Sequence, residues 1–444
     1  MYRTVGRFSS GPGTALLGRL VKGPPTAARG VAVPLTSTQT DMLVQHLLNP
    51  DFVGEHCLIG WELDGPINVD VLRRTIEHLH HRHESLRSAY LLEEHAVAEL
   101  RDVAPPDLIM RTADSRQQAR EVLDSLLAKP FRLEDGVIWR VALVELSGTG
   151  SSLLCLAAHH IAVDGWSQSI LATDLSRVYN ALLAGKSPKE DAAPSLSEIA
   201  AARPGSEVEE LHRAYWLREL AGVPQLAYPG TPDRDDPPGA VTVRVPFSAE
   251  LFARVRRLAR AHRVTPYVVF LTAYGKALAD VSGQRDLCIG TPVALRGDEV
   301  LDDAVSCLIE VLCVRLRPTY AAVDGNELLV VADTVQNAFS ALAVPLSDMS
   351  KMVKAPRNGR PRLFQNIFAL QNIAPALLDL TGVRCRSFVP APQALPTELF
   401  VEAWEHGTNG PNLTLNYRPA IVPAEAAQDL GRRILAELHE LRAV

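Results

Sequence analysis

The sequence predicts an α/β protein built of two lobes, and three observations carry this. The chain has 444 residues, 47% of them hydrophobic and 22% charged, enough for more than one core at ~100–200 residues per domain. Short Val/Leu-rich runs alternate with segments whose apolar residues recur at helical spacing. A Pro/Gly/Asp-rich stretch, PGTPDRDDPPG at 229–239, divides this alternation into two halves. The expected organisation is a basic, disordered tail over 1–30, an N-terminal lobe over 31–205 and a C-terminal lobe over 206–444 that includes the 229–239 connection.

Residues 69–83 place Val69, Leu72, Ile76 and Leu79 on one helical face. The runs 137–146 and 152–158 read as strands. After a polar turn comes a helix from about Trp166 to Ala184, with Ile170, Leu171, Leu175, Val178 and Leu182 inward and Gly185 as its stop. Beyond the connection, VTVRVPF reads as a strand, 249–263 and 266–281 as helices, and DLCIGTPVAL as a further strand. No short repeat is present, so the chain is not a solenoid.

Composition removes several functions. The formal charge is −6, and the folded part lacks a basic run, which argues against nucleic acid as partner. The tail carries Arg3, Arg7, Arg19, Lys22 and Arg29 and no acid precedes Asp41; it reads as floppy, with a docking arm as the rival. Six scattered cysteines without a CxxC pair point to a reducing cytoplasm, and Cys155, in SSLLCLAA, acts as a small hydrophobe. No apolar run is long enough to span a membrane or serve as a signal peptide. His78, His80, His81 and His83 crowd one helix end, but no HExxH is present, and His80 with Glu84 alone makes no metal site. The charged segment 207–219 reads as a solvated helix face. Trp61, Trp139 and Trp216 read as packing residues.

The strongest local signal is His159-His160-Ile161-Ala162-Val163-Asp164-Gly165-Trp166-Ser167, placed where a buried strand ends and a helix begins. Imidazole, with an ordinary pKa of ~6.5, suits proton transfer near neutrality. Adjacent strand residues point to opposite faces, so one histidine can face a cleft while the other is structural. Asp164 in such a place needs a cation, and Arg296 is the candidate. Taken alone, the motif also fits a satisfied pair of core histidines.

HHxxxDGxS resembles the signature of nonribosomal peptide synthetase condensation domains, within the chloramphenicol-acetyltransferase-like superfamily. The resemblance extends along the chain: LTSTQTDML at 35–43, around Gln39, is similar to the family's opening motif, and RHESLRSAY at 82–90 to its RHExLRTxF motif. DLCIGTPVALR at 286–296 is similar to its GTPVAGR strand, and RLFQNIFALQN at 362–372 to a late strand. The resemblance implies two chloramphenicol-acetyltransferase-like lobes forming a V-shaped pseudo-dimer with a tunnel between them. It implies an acyl or peptidyl carrier protein that presents a thioester on its phosphopantetheine arm, a carrier-bound or soluble amine or alcohol acceptor, no bound cofactor or metal, and a monomer. By carry-over, His160 faces the tunnel and takes or positions the proton of the attacking amine. Asp164 completes the catalytic motif by pairing with Arg296, and Gly165 lets the acyl group approach the backbone. His159, Arg296 and Ser167 support the site, while Trp166, Glu310 and Gln371 are expected along the tunnel. Trp166 equally fits packing.

The letters favour an active condensing enzyme. Gln168 stands where epimerization domains carry Trp, both histidines are present where heterocyclization domains carry DxxxxD, and His160 is the residue that silent recruitment domains lose. The expected reaction is acyl transfer to an amine, giving an amide in nonribosomal peptide or hybrid polyketide biosynthesis. Ester formation and a silent carrier-binding platform are the alternatives. One stretch departs from the family: Ser306-Cys307-Leu308-Ile309-Glu310-Val311 stands where a GPFVNT-like strand is usual, with Glu310 for Asn and Val311 for Thr; the carboxylate either holds an acceptor's ammonium or hydroxyl or merely marks a drifted loop. The Met start and non-family tail favour a free-standing enzyme over an excised domain.

Overall fold

The computed structural model describes residues 31–189, 192–203, 210–227, 239–317, 326–354, 360–372, 376–390, 392, 394–406 and 410–441. The expected tail and all of the 229–239 connection except Gly239 lie outside the described residues. In the first half the order is β1 (Ala32–Pro34), α1 (Ser37–Leu48), β2 (His56–Asp64), α2 (Val69–Arg82), β3 (Ser88–Leu92), β4 (Ala96–Leu100), β5 (Leu108–Ala113), α3 (Arg116–Leu127), β6 (Trp139–Leu146), β7 (Ser151–His159), α4 (Gly165–Leu183) and α5 (Leu196–Ala202). Then follow α6 (Glu210–Glu219), β8 (Val241–Pro246), α7 (Ala249–His262), α8 (Pro266–Ser282), β9 (Leu287–Ala294), α9 (Glu299–Asp302), β10 (Ile309–Leu316), α10 (Glu327–Ser340), α11 (Leu346–Met352), β11 (Asn366–Gln371), β12 (Arg384–Phe388), β13 (Leu399–Trp404), β14 (Asn412–Tyr417) and α12 (Ala424–Glu440).

Each lobe has its own sheet and core. The first has a five-stranded sheet, β12-β2-β7-β6-β5, beside a three-stranded one, β1-β4-β3. The second has a six-stranded sheet, β10-β9-β11-β13-β14-β8. Strand β7 reads SSLLCLAAH and is buried along nearly its whole length, because β2 and β6 flank it and side chains cover both faces. Helix α4 starts at an Asp164 N-cap, whose side chain accepts from the Ser167 amide, and ends just before Gly185 at φ +68°, a left-handed conformation that suits glycine. Around β7 pack Trp61, Trp139 and Val178, all fully buried, as is Leu154 of the strand itself. In the second lobe, Phe270 and Tyr274 of α8 and Ile434 of α12 bury the sheet through Phe368 and Leu415.

The segments expected as strands and helices between 69 and 295 fold as such, with ends moved by one or two residues, but the lobe boundary needs correction. Residues 376–388, expected in the C-terminal lobe, cross into the first. Leu378 and Leu380 join its core, Trp61 Nε1 donates to the Ala376 carbonyl at 2.9 Å, and β12 pairs antiparallel with β2 from Arg384↔Asp64 to Phe388↔Gly60. The crossover covers the outer edge of β2, which would otherwise expose unpaired backbone. Among the described residues no helix is long and apolar enough to cross a membrane.

A Cβ at Gly290, in the middle of β9, would lie 2.5 Å from the ring of buried Phe364. Gly290→Ala is expected to cost ~1–3 kcal/mol through overpacking, measured by denaturant unfolding; an unchanged midpoint would contradict this packing.

Candidate active site

The site forms where the turn after β7 meets the loops flanking β9 and β10. Asp164 fixes that junction. Its carboxylate is 1% exposed and accepts from Arg296 Nη2 at 2.9 Å (Oδ1) and 2.8 Å (Oδ2). Oδ1 also accepts from the Ser167 amide and hydroxyl, each at 2.8 Å, and Oδ2 from the Leu308 amide at 3.1 Å. Arg296, 3% exposed, donates further to the carbonyls of Ala304 at 3.1 Å and of Leu301. Ser167 continues the clasp: its hydroxyl, whose single proton is shared between Asp164 Oδ1 and the Ser306 carbonyl at 2.9 Å, accepts from the Ser306 amide at 3.1 Å. With its lone pairs engaged this way, Asp164 holds the two lobes together and is not placed to move protons.

The two adjacent histidines differ sharply. His159 ends β7 and is 1% exposed; its Nδ1 accepts from the Ile161 amide at 3.1 Å. Burial, with His56, His46 and His160 nearby, holds its pKa well below the ordinary histidine value, so the ring is neutral. His160 lies past the strand end, in the turn, and is only half-buried. The pair therefore separates at the strand-to-turn transition rather than by alternation along a strand. The His160 amide donates to the Glu55 carbonyl at 2.7 Å, and its Nδ1 faces Cys307 Sγ at 3.7 Å. Burial opposes a charge on this ring, but the Cys57 and Cys307 sulfurs favour it and carry the pKa above the ordinary histidine value. Gly165, half-buried, opens α4.

The other motif residues support this turn. Gln39 Nε2 donates to the Ile161 carbonyl at 2.8 Å. His83 Nε2 meets Asp174 at 2.9 Å, joined there by Arg82 at 2.8 Å, tying α2 to α4, and the Glu84 carboxylate accepts from the Leu196 amide at 2.8 Å. His80 is fully buried, between Trp139 Nε1 at 3.1 Å and the Val103 carbonyl at 2.9 Å. The residues expected along a tunnel all have protein partners. Trp166, 37% exposed, donates to the Asp302 carbonyl at 2.9 Å and stacks near Arg296. The Glu310 carboxylate accepts from the Ser37 and Thr38 hydroxyls at 2.7 and 2.6 Å, a second polar tie between lobes. Gln371 donates to Glu402 at 2.8 Å.

Sequence reasoning missed three groups. Glu55, half-buried beside His160, has its pKa raised by burial against the opposing pull of His160. Cys57 and Cys307 flank the ring, and nothing in their spacing marks them. Glu402 on β13 is pushed by burial to about 7, although Gln371 and Asn416 donate to it; it lies on the half-buried face of that strand, which nothing in the sequence analysis marked.

The condensation-domain family model matches residues 31–412. The chain belongs to the condensation-domain family. This condensation domain is 28% identical over 390 residues to tyrocidine synthase 2 of Brevibacillus parabrevis, covering 86% of this chain and 11% of that protein. It is 28% identical over 358 residues to surfactin synthase subunit 1 of Bacillus subtilis (strain 168), covering 79% and 10%. The chain thus spans a small part of the length of these relatives. Among solved structures, the first condensation domain of the calcium-dependent antibiotic synthetase, in complex with a substrate analogue, superposes with a TM-score of 0.74 at 20% identity, covering 94% of this chain and 98% of that one. The X-domain from teicoplanin biosynthesis, in complex with OxyB, gives 0.76 at 21%, covering 95% and 96%. The fold is therefore the chloramphenicol-acetyltransferase-like one expected from the motifs.

Asp164→Ala leaves Arg296 buried without its anion, and a loss of ~3–5 kcal/mol is expected; wild-type unfolding in that variant would refute the clasp. Glu402 gives a pH test. Its folded pKa is raised from 4.5 to about 7, so the folded protein keeps a proton that the unfolded chain has released, and stability falls as pH rises through that window. Relative to the parent, Glu402→Gln should gain about 2–3 kcal/mol between pH 4 and pH 8. A constant difference across that range in denaturant titrations would show that this carboxyl is not shifted.

Proposed function

We propose that this condensation domain transfers an acyl group from a thioester on the phosphopantetheine arm of a carrier protein to an amine, forming an amide, with His160 at the reacting atoms. The observation that supports this is the contrast within the motif: Asp164 and His159 are buried and fully engaged in structure, whereas His160 is a half-buried residue at the seam. The acceptor nitrogen attacks the thioester carbonyl carbon, the C–S bond breaks, and the sulfur leaves on the carrier's arm with a proton. The attacking nitrogen must lose a proton as the C–N bond forms, and an imidazole within hydrogen-bond reach is suited to take it or to hold the amine in place. Bringing two tethered reactants into line supplies ~7–11 kcal/mol of barrier reduction, so one histidine suffices beside it. No cofactor enters the scheme. The lobes are read as the arms of a V whose tunnel admits donor and acceptor from opposite sides.

The test is reconstitution with candidate acyl-carrier proteins and a panel of amines and alcohols, read by intact-protein and product mass spectrometry. With amines, His160→Ala is expected to lower product formation ~10²–10⁴-fold while melting and carrier binding stay as in the parent. Unchanged turnover in that variant would remove His160 from the mechanism. Product from alcohols alone would replace the amide assignment with an ester-forming one. Carrier binding without turnover across the panel would favour a recruitment platform.

A further inference from the structure

The His160 ring is approached by one sulfur from each lobe. Cys57, on β2, places its Sγ 3.7 Å from the Val163 carbonyl of the motif turn, and Cys307, in the loop before β10, reaches His160 Nδ1 at 3.7 Å. Both are buried, Cys307 completely. We propose that Cys307 is a positioning residue: its sulfur accepts Nδ1–H of His160 from the second lobe and so presents the Nε2 lone pair to the acceptor. This rests on reading His160 as the group that meets the substrate.

The backbone makes Cys307 a fixed point. On one side the Ser306 amide and carbonyl bind the Ser167 hydroxyl at 3.1 and 2.9 Å. On the other, the Leu308 amide donates to Asp164 Oδ2 at 3.1 Å. A thiol between two anchored peptides has no slack. The His160 backbone is equally fixed, by the Glu55 carbonyl at 2.7 Å and by the Val163 amide, which donates to the His160 carbonyl at 3.3 Å. Those bonds leave the side-chain torsions free, and a ring free to spin presents either nitrogen. Sulfur is a weak acceptor, so its contribution is orientation and tautomer rather than binding strength, much as an oriented second partner fixes which nitrogen of a histidine is available.

The charge environment sets the pH above which Nε2 carries that lone pair. The groups facing the ring are the Cys57 and Cys307 sulfurs, the Glu55 carboxyl and neutral His159, while Asp164 acts on Cys307 and is itself neutralised by Arg296. The sulfurs favour the imidazolium. Removing one therefore lowers the pH at which His160 loses its proton.

Carbethoxylation by diethyl pyrocarbonate reads that proton directly, because only the neutral imidazole reacts. The rate at His160, followed by peptide mass spectrometry from pH 5 to 9, needs no substrate. Cys307→Val removes the hydrogen bond at the cost of one added methyl branch, whereas Cys307→Ser restores an acceptor. Cys307→Val is expected to move the midpoint to lower pH, so that at pH 6.5 its His160 reacts on the order of threefold to tenfold faster than the parent's, the equivalent of one weak hydrogen bond. Cys307→Ser should stay near the parent. A parent-like midpoint in Cys307→Val, or an equal shift in both variants, would overturn the proposal. Because the titration is independent of turnover, loss of the His160 assignment by His160→Ala kinetics is recognised separately.

Discussion

One buried carboxylate holds this protein's two halves in register. Asp164 is surrounded by donors from both lobes: the Ser167 amide and hydroxyl of its own helix, and Arg296 with the Leu308 amide from across the seam. Each ion is costly to bury alone, and the pair is tolerated because every close donor points at the same anion. Directional bonds are concentrated at this junction. The apolar contact beside it is a small cluster of Ile199, Leu301, Ala304 and Leu308, whereas each lobe's own core is many times larger. A seam held by hydrogen-bond geometry fixes positions more tightly than one held by apolar contact, which tolerates sliding.

That constraint explains why residues so close in sequence differ in role. His159 is the last residue of a strand buried on both faces, so its ring must be neutral and satisfied inside. Asp164 begins a helix, where a carboxylate caps the free amides and favours the helix dipole. Between them the chain turns, and His160 is carried to the seam while Ile161, Ala162 and Val163 fill the interior behind it. The half-buried position of His160 thus follows from anchoring the turn at both ends.

Much of this was legible in the sequence because it depends on local pattern. The 3.6-residue spacing of Val69, Leu72, Ile76 and Leu79 and the apolar run of β7 set their elements directly, and the motif letters located the turn and paired Asp164 with Arg296. What stayed hidden depends on partners far along the chain. Glu310 read as a carboxylate available to a ligand because it stands where the family's strand carries Asn; its partners, Ser37 and Thr38, lie some 270 residues earlier. Strand β12 is short and polar, RCRSF, and nothing in it announces that it completes the other lobe's sheet. Cys307 read as one of six scattered thiols, since a cysteine carries no periodic signal of what it faces.

The placement of these hidden partners follows a single layout. Strands β9 and β10 pair along their whole length, from Ile309↔Ala294 to Leu316↔Leu287, so Arg296 at the end of one and residues 306–310 at the start of the other move as one body. His160 is tied to the first lobe by Glu55 and, through Ile161, by Gln39. Opening the seam therefore parts Arg296 from Asp164, Glu310 from α1 and Cys307 from His160 together, while every strand pair of β9 with β10 and of β2 with β7 survives. The crossover at β12 limits that opening, because the chain leaving β11 must still reach the edge of β2. The surroundings of the His160 imidazole are thus drawn from both lobes, Glu55 from the first and Cys307 from the second, so the chemistry proposed there depends on the seam that Asp164 holds.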